Sequence, residues 1–191
     1  IRVDSIHEHG DIRNLVEILL DPGSSKDHKD YWDSAGGRLI TALVLHVLYD
    51  LPESDRKLAS LNVLLLRITQ TMVAMQTSKS ERCRLLSKAL AEMPEKQFGG
   101  VLDTASTALQ LYDDPLVAEK TATSDFRISD LVCSTRPITV YLQIRPSDEA
   151  GLRPLTRLIL TQVAQALMYD VDITTDRRKK RHRLLYLIDE F

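Results

Sequence analysis

Apolar residues recur every three or four positions through most of the first 122 residues, a spacing that predicts amphipathic helices. The first predicted helix covers residues 11–20, with Asp11 as its N-cap. A second predicted helix covers about residues 26–49, and its half from 39 to 48 is apolar nearly all round. A helix of that kind is buried on every side, so we expect it at the centre of a helical bundle.

Shorter helices are predicted after Pro52. They cover residues 60–69, 80–93, 97–112 and 115–120, with Ser60 capping the first, Ser80-Glu81 starting the second and Asp113-Asp114-Pro115 capping the last. The buried stripe of the helix at 80–93 is predicted to be Leu85, Leu86, Ala89 and Leu90. Residues 21–122 contain no convincing strand pattern, so we predict an all-helical block there.

The pattern changes after residue 122. Residues 138–144 are apolar and rich in β-branched side chains, and Pro137 precedes them, which predicts a strand. A long amphipathic helix at 152–169 follows, and then the apolar run 184–188. Strand, helix and strand of these lengths predict a βαβ crossover with parallel strands. The predicted fold class is therefore α/β, with a large all-α block interrupting the sheet domain and a mostly helical chain overall.

Composition narrows the class of protein. The chain has 191 residues, of which 43% are apolar and 27% charged, and this is ordinary for a soluble globular protein. The net charge of −2 argues against a chain that is basic overall, so any contact with nucleic acid must be local. The longest apolar stretch, at 39–48, is too short to cross a bilayer, which takes about 20 residues. Cys83 and Cys133 are far apart and are predicted to be reduced thiols, although a single disulfide is the open alternative.

Two carboxylates, Asp189 and Glu190, directly follow the last predicted strand. This is the arrangement of the Walker B element of P-loop NTPases, in which the first carboxylate holds Mg²⁺ and the second polarises the attacking water. The alternative is a core strand with a solvated acidic end. The sequence contains no G-x-x-x-x-G-K-[ST] motif, so we expect the chain by itself to bind no ATP and to be inactive. It reads as the middle of a larger ATPase.

A basic run precedes that strand, with six Lys or Arg residues in the seven positions 177–183. Local positive charge of this kind attracts DNA phosphates or anionic lipid headgroups, and a solvated loop is the alternative interpretation. The candidates for such contact are Arg177, Arg178, Lys179, Lys180, Arg181 and Arg183.

Other polar residues are weaker candidates. Arg145 and Asp148 follow the strand predicted at 138–144 at its carboxyl end, where α/β sheets bind ligands, although a solvated loop fits equally well. His46 lies on an apolar helix and is predicted to be a hydrogen-bonded core residue rather than a metal ligand. Tyr31 and Trp32 are expected to pack at a helix junction rather than to stack on bases.

Four stretches, taken in order, resemble the TraG-type coupling proteins of type IV secretion and conjugation systems. They are residues 10–19, residues 28–49 with Tyr31-Trp32, residues 124–131 with the sequence SDFRISDL, and residues 137–190 ending on Asp189-Glu190. The resemblance covers nearly the whole chain and is weakest at 53–95.

The resemblance implies a membrane-anchored homo-hexameric ATPase at the cytoplasmic face of the bacterial inner membrane. Its RecA-like motor domain would use ATP and Mg²⁺, with Asp189 holding the metal and Glu190 orienting water. An all-α domain is inserted between Walker A and Walker B. The implied partners are a relaxase–DNA complex or secreted effector proteins, single-stranded DNA, and components of the secretion channel. The chain itself would be a soluble, cytoplasmic piece, with the anchor in an N-terminal segment that precedes it.

The domain organisation predicted on this basis has three parts. Residues 1–20 and 123–191 would belong to the nucleotide-binding domain, and residues 21–122 to an inserted domain that recognises cargo. The first functional hypothesis is a piece of a coupling protein that recruits the relaxase–DNA or protein substrate and drives its transfer. Two alternatives stay open: a non-catalytic helical recognition module, and another RecA-like hexameric ATPase that pumps DNA.

Overall fold

A computed structural model of the protein describes residues 1–20, 35–168 and 180–187. The chain divides into two compact units, Ile1–Thr123 and Ser124–Phe191. The helices of the first unit are α1 (Glu8–Leu20), α2 (Ala35–Asp50), α3 (Leu58–Leu66), α4 (Ile68–Met75), α5 (Glu81–Ala91), α6 (Glu95–Leu109) and α7 (Pro115–Lys120), with 3₁₀ turns at Glu53–Asp55 and Gln110–Asp113. The helices of the second unit are α8 (Asp130–Cys133) and α9 (Glu149–Met168).

Helix α2 forms the centre of the first unit. Its residues from Leu39 to Val47 are all buried, and it packs against α1, α3, α4, α5 and α6. The prediction of a central helix from an all-round apolar sequence is therefore confirmed. The part of the predicted helix before residue 35 lies outside the described residues.

Two of the predicted helix starts are confirmed by their caps, whereas the cap predicted at Ser60 is wrong, because α3 begins at Leu58. The Ser80 hydroxyl accepts a hydrogen bond from the backbone N–H of Cys83 at 3.3 Å, and the Asp114 carboxylate accepts one from Leu116 at 2.7 Å. Pro115 occupies the first turn of α7, where its missing N–H costs nothing. Both caps satisfy N–H groups that a helix cannot satisfy internally.

The predicted cap at Asp11 is wrong, because α1 begins earlier, at Glu8. The Asp11 carboxylate instead binds Arg2, accepting from its backbone N at 2.9 Å, from Nε at 3.0 Å and from Nη2 at 2.6 Å. The Asp11 carboxylate therefore binds Arg2, nine residues earlier in the sequence, and not the backbone N–H groups of the following turn that an N-cap would bind.

The buried face of α5 also differs from the predicted stripe. Of the predicted stripe, Leu90 is buried and Leu86 is half-buried, whereas Leu85 is 62% exposed and Ala89 is exposed; Cys83 and Ser87 are buried in addition. The Cys83 Sγ lies 3.3 Å from the carbonyl oxygen of Ala42 on α2. The side of α5 that carries Cys83 therefore faces α2, and Leu85 lies on the outward side.

The two strands predicted in the second unit do not form, and no strand occurs anywhere in the described residues. Residues 138–144 have no ladder partner, and Tyr141 is 81% exposed. Residues 184–187 are likewise unpaired, with Leu187 89% exposed. The α/β class with a partial RecA-like sheet is therefore wrong for this structure, and its mostly helical character is what remains. β-branched composition favours an extended backbone, but a strand exists only when a neighbour accepts its hydrogen bonds.

The second unit has a small apolar cluster of its own. Leu131, Val132 and Cys133 on α8 are buried, and Val163, Leu167 and Leu184 pack against them. Cys133 and Cys83 are both buried thiols outside any disulfide, in agreement with the prediction of reduced thiols. Burial raises the pKa of the Cys83 thiol to about 11, so this cysteine is a packing residue and not a nucleophile.

Within the described ranges, no single helix has both the length and the apolar character needed to cross a membrane. Helices α3 and α4 reach that threshold only as a pair, and the chain bends by 109° between them.

Candidate functional site

The acidic pair that carries the predicted catalytic role, Asp189 and Glu190, lies outside the described residues. The same holds for Arg177, Arg178 and Lys179 in the basic run, and for Tyr31 and Trp32. Their assignments stay predictions.

The described end of the basic run is attached to α8 through its backbone. The N–H groups of Arg181 and His182 both donate to the carbonyl oxygen of Val132, at 2.7 and 3.0 Å. The His182 Nε2 donates to the carbonyl of Ser134 at 3.0 Å. Lys180, Arg181 and Arg183 are exposed. The backbone is thus fixed while the cations remain in water, an arrangement suited to sequence-independent attraction of phosphates.

A shallow depression lies in the stretch that resembles the coupling proteins. Its lining residues are Ser124, Asp125, Phe126, Arg127 and Asp130. The Ser124 hydroxyl donates to the carbonyl of Phe126 at 2.7 Å, and the N–H of Arg127 donates to the Asp130 carboxylate at 2.8 Å. These bonds close the loop on itself before α8, so the depression is the outside of a turn with charges of both signs.

Arg145 and Asp148 are exposed and form the turn that leads into α9. The N–H of Asp148 donates to the Arg145 carbonyl at 2.9 Å, and the Asp148 carbonyl accepts from Leu152 at 2.9 Å. Their suggested role at a ligand-binding sheet edge loses its basis, because the preceding strand is not formed.

A buried polar junction lies at the end of α2 in the first unit. The His46 Nδ1 donates to Asp50 Oδ2 at 2.7 Å, and the backbone N–H of Lys79 donates to Asp50 Oδ1 at 2.9 Å. The side chains of His46 and Asp50 are 8% and 14% exposed. The prediction that His46 is a hydrogen-bonded core residue is confirmed. In the described residues no group of three or more His, Cys, Asp or Glu side chains could hold a metal ion.

The electrostatics of this junction favour an ionised Asp50. Burial by itself would raise the pKa of the Asp50 carboxyl. Hydrogen bonds from the Lys79 backbone, the Ser78 hydroxyl and His46 outweigh burial, so the pKa lies below its usual value. The junction joins the end of α2 to the start of α5 and is a structural element of the helical unit.

Replacing Asp50 with Asn is expected to reduce the free energy of unfolding by about 2 kcal/mol at pH 7, because a charged acceptor with three donors is lost. The folded-state pKa is depressed, so this contribution is present above the ordinary carboxyl pKa of about 3.9 and disappears as pH falls through the folded value. Urea unfolding followed by circular dichroism at pH 7 and pH 3 should show the gap between wild type and variant shrinking at the lower pH. Asp55→Asn, at an exposed position, is the control; a pH-independent gap would contradict this assignment.

The carboxylates at the start of α1 are also engaged within the unit. The Tyr49 hydroxyl lies 2.9 Å from Asp4 Oδ1 and 2.6 Å from Glu8 Oε2. Burial and then these two carboxylates raise the pKa of Tyr49 above its usual range. Tyr49 on α2 thus hydrogen-bonds to Asp4 and Glu8, and Arg2 forms an ion pair with Asp11. These contacts connect the N-terminal turn to α1 and α2.

The outward face of α5 is a surface that the sequence pattern did not lead us to predict. Arg82, Arg84, Leu85 and Lys88 are exposed there, and Arg82 Nη1 lies 2.7 Å from His9 Nδ1. The signal was present in the sequence: residues 79–88 carry four Lys or Arg against a single carboxylate, Glu81. Assigning Leu85 to the core concealed it.

Comparison with known proteins identifies the family. The family model for "Type IV secretory system Conjugative DNA transfer" matches residues 1–191. A conjugal transfer protein TraG of Escherichia coli is 32% identical over 205 aligned residues, which cover 100% of this chain and 32% of that protein. A type IV secretion system-coupling protein VirD4 of Bartonella quintana is 26% identical, covering 91% of this chain and 27% of that protein.

A VirD4 protein of Agrobacterium fabrum is 37% identical over 83 residues, or 44% of this chain and 12% of that protein. The chain thus spans about a third or less of the length of these relatives. No solved structure matches it significantly. The match of the family model to every residue shows that the chain belongs to the type IV secretory system conjugative DNA transfer family, the family of the TraG and VirD4 coupling proteins.

Proposed function

We propose that this chain is the middle part of a coupling protein that acts as a homo-hexameric ATPase, recruits a relaxase–DNA complex or a secreted protein, and drives its transfer. The observation that carries the proposal is the family match over all 191 residues. The names of the relatives, conjugal transfer protein and type IV secretion system-coupling protein, support the same role.

In this proposal the chemistry resides at the acidic end of the chain. Asp189 would hold Mg²⁺ and Glu190 would orient the water that attacks the γ-phosphate of ATP. The phosphates themselves need a glycine-rich loop, which this sequence does not contain, so neither ATP nor Mg²⁺ is expected to bind the chain by itself. The basic residues from Arg177 to Arg183 would attract DNA or anionic lipid.

The proposed setting is the cytoplasmic face of the bacterial inner membrane, where the hexamer would hand its cargo to components of the secretion channel. The relatives extend well beyond the matched region, and the membrane anchor and the P-loop are proposed to lie in those other parts of the protein. Single-stranded DNA is the proposed cargo of conjugation, delivered as a complex with the relaxase.

The helical unit is proposed to recruit that cargo. It has a core of its own around α2, and its loops and outward faces carry charges of both signs. Such a surface suits selective docking, because complementary charge sets specificity and the rate of association. The three-part domain division at residues 20 and 122 remains part of this proposal.

A domain exchange tests the recruiting role. Residues 35–122 of the full-length protein are replaced by the aligned residues of the Escherichia coli TraG relative, and transfer of the two cognate plasmids is measured in mating assays. We expect the preference for a plasmid to follow the exchanged helices, because recognition would lie in them. Hexamer formation and ATP turnover of the chimera are the controls. A chimera that transfers efficiently but keeps its original preference would show that the helices are only a structural insert.

A non-catalytic recognition module is the second candidate for the chain taken by itself. The observation in its favour is the sequence without a P-loop, combined with a helical unit that has a self-contained core. The two candidates agree on the helical unit and differ only in whether the acidic end of the chain works in ATP hydrolysis.

A further inference from the structure

We propose that the outward face of α5, formed by Arg82, Arg84, Leu85 and Lys88, is a docking surface for a short acidic protein segment that carries an apolar side chain. This inference rests on the proposed recruiting role of the helical unit and adds the place and the chemistry of the contact. Four properties of the face support it: its apolar anchor, the charge around that anchor, the rigidity of the cations and the limits of the patch.

The apolar anchor is Leu85, which is 62% exposed on a helix whose opposite side is packed on α2. Arg82 lies three residues before it and Lys88 three residues after it, so both share its side of the helix. Arg84 is also exposed on this face. A large apolar side chain inside a ring of charged ones is the arrangement of interface hot spots, where an anchor is buried and the rim remains polar.

The charge around Leu85 is opposite to that of the unit that bears it. Residues 1–123 contain 14 Lys and Arg against 18 Asp and Glu. Residues 79–88 contain four Lys and Arg against one Glu. An acidic partner is repelled by the negative surface of the unit as a whole and attracted by the positive patch on α5. This difference favours one orientation of docking.

Two of the cations are already held in position. Arg82 Nη1 donates to His9 Nδ1 at 2.7 Å, and Arg84 Nη1 donates to the carbonyl oxygens of Ser78 and Lys79. Burial, followed by the charges of Arg82 and Arg13, lowers the pKa of His9. Because a guanidinium can only donate, the His9 Nδ1 is the acceptor in this pair. Side chains ordered before binding lose less conformational entropy when a carboxylate arrives.

The limits of the patch favour a protein segment over a nucleic acid. Glu81 and Glu92 lie at the two ends of α5, so the positive charge from Arg82 to Lys88 is bounded by carboxylates and covers a stretch that suits a short segment. Eleven residues of helix extend over about 16 Å, which is short for a nucleic-acid track. Helix α5 contains no aromatic residue on which a base could stack, and its centre is a leucine.

The test uses a labelled twelve-residue peptide of Glu and Asp with one central Leu, a matched peptide with Ser in place of that Leu, and a twelve-nucleotide single strand of DNA. Fluorescence anisotropy with the full chain should show the Leu peptide binding at least tenfold more tightly than the other two. Leu85→Ser, and separately the double variant Arg82→Glu/Lys88→Glu, should each weaken that binding at least tenfold. Leu116→Ser and Lys120→Glu, at exposed positions on α7, are matched controls and should leave it unchanged.

Equal binding of the α5 variants and wild type would overturn the proposal, as would tighter binding of the DNA strand. Circular dichroism and thermal melting of each variant establish that it is folded. The domain exchange distinguishes a failure of the α5 surface from a failure of the recruiting role. If plasmid preference follows the exchanged helices while α5 variants bind the Leu peptide normally, recruitment stands and this surface is wrong. If preference does not follow them but the α5 variants lose the peptide, the surface stands and the recruiting role is wrong.

Discussion

Replacing Glu190 with Gln in the full-length protein is expected to slow ATP hydrolysis by at least about a hundredfold and to leave ATP binding nearly unchanged. The proposed task of this carboxylate is to polarise the attacking water, which matters in the transition state and not in the bound ground state. Glutamine keeps the shape of the side chain but is a much weaker proton acceptor. The loss should therefore appear in kcat and not in the affinity for nucleotide.

Steady-state ATPase rates and equilibrium binding of a fluorescent ATP analogue, both measured on the full-length protein, check this result. Asp189→Asn should behave differently, because loss of the proposed metal ligand would weaken the Mg²⁺-dependent part of nucleotide binding. Glu149→Gln is the matched control: Glu149 is an exposed carboxylate 3.6 Å from Arg153 and has no proposed role in the reaction. Near-normal turnover of Glu190→Gln would remove this residue from the catalytic assignment.

The helices of the first unit could be predicted from the sequence because their signals are local. An apolar run from 39 to 48 with charges only at its ends fits a buried helix and nothing else of that length. Ser80 and Asp114 cap their helices through hydrogen bonds within three residues. A cap or an apolar run is formed by residues within one or two helical turns, so it can be recognised without knowing how the rest of the chain folds.

Helix α5 shows where that reasoning fails. The sequence predicted a buried face of Leu85, Leu86, Ala89 and Leu90. The structure instead buries Cys83, Ser87 and Leu90, with Cys83 Sγ 3.3 Å from the Ala42 carbonyl on α2, and it leaves Leu85 62% exposed. Which side of a helix is buried depends on the helix it packs against, so the sequence of α5 by itself did not reveal it.

The predicted strands failed for a related reason. Residues 138–144 and 184–187 have strand-like composition, yet neither has a ladder partner. A strand needs a second segment to accept and donate its backbone hydrogen bonds, and the composition of one segment does not show whether such a partner lies beside it. The same distinction applies to the candidate sites. Asp189 and Glu190 are neighbours in the sequence, whereas the exposure of Leu85 among cations depends on how α5 packs.

Replacing Leu43 with Ala should strongly destabilise the helical unit. Leu43 is fully buried at the middle of α2, the helix against which α1, α3, α4, α5 and α6 all pack. Removing three carbon atoms loses their transfer free energy and leaves a cavity that five surrounding helices cannot close together. We expect the free energy of unfolding to fall by about 3 kcal/mol, a large fraction of the roughly 5–15 kcal/mol typical of a domain.

Urea unfolding of the chain, followed by its helical circular dichroism signal, measures this loss. Leu116→Ala is the matched control, because Leu116 is 61% exposed on α7 and its truncation should change stability by less than about 0.5 kcal/mol. A loss below about 1 kcal/mol for Leu43→Ala would show that α2 is not the packing centre of the unit. Because recruitment is proposed to depend on the folded helical unit, the same variant in the full-length protein should transfer DNA less efficiently at higher temperature, where the weakened unit unfolds first.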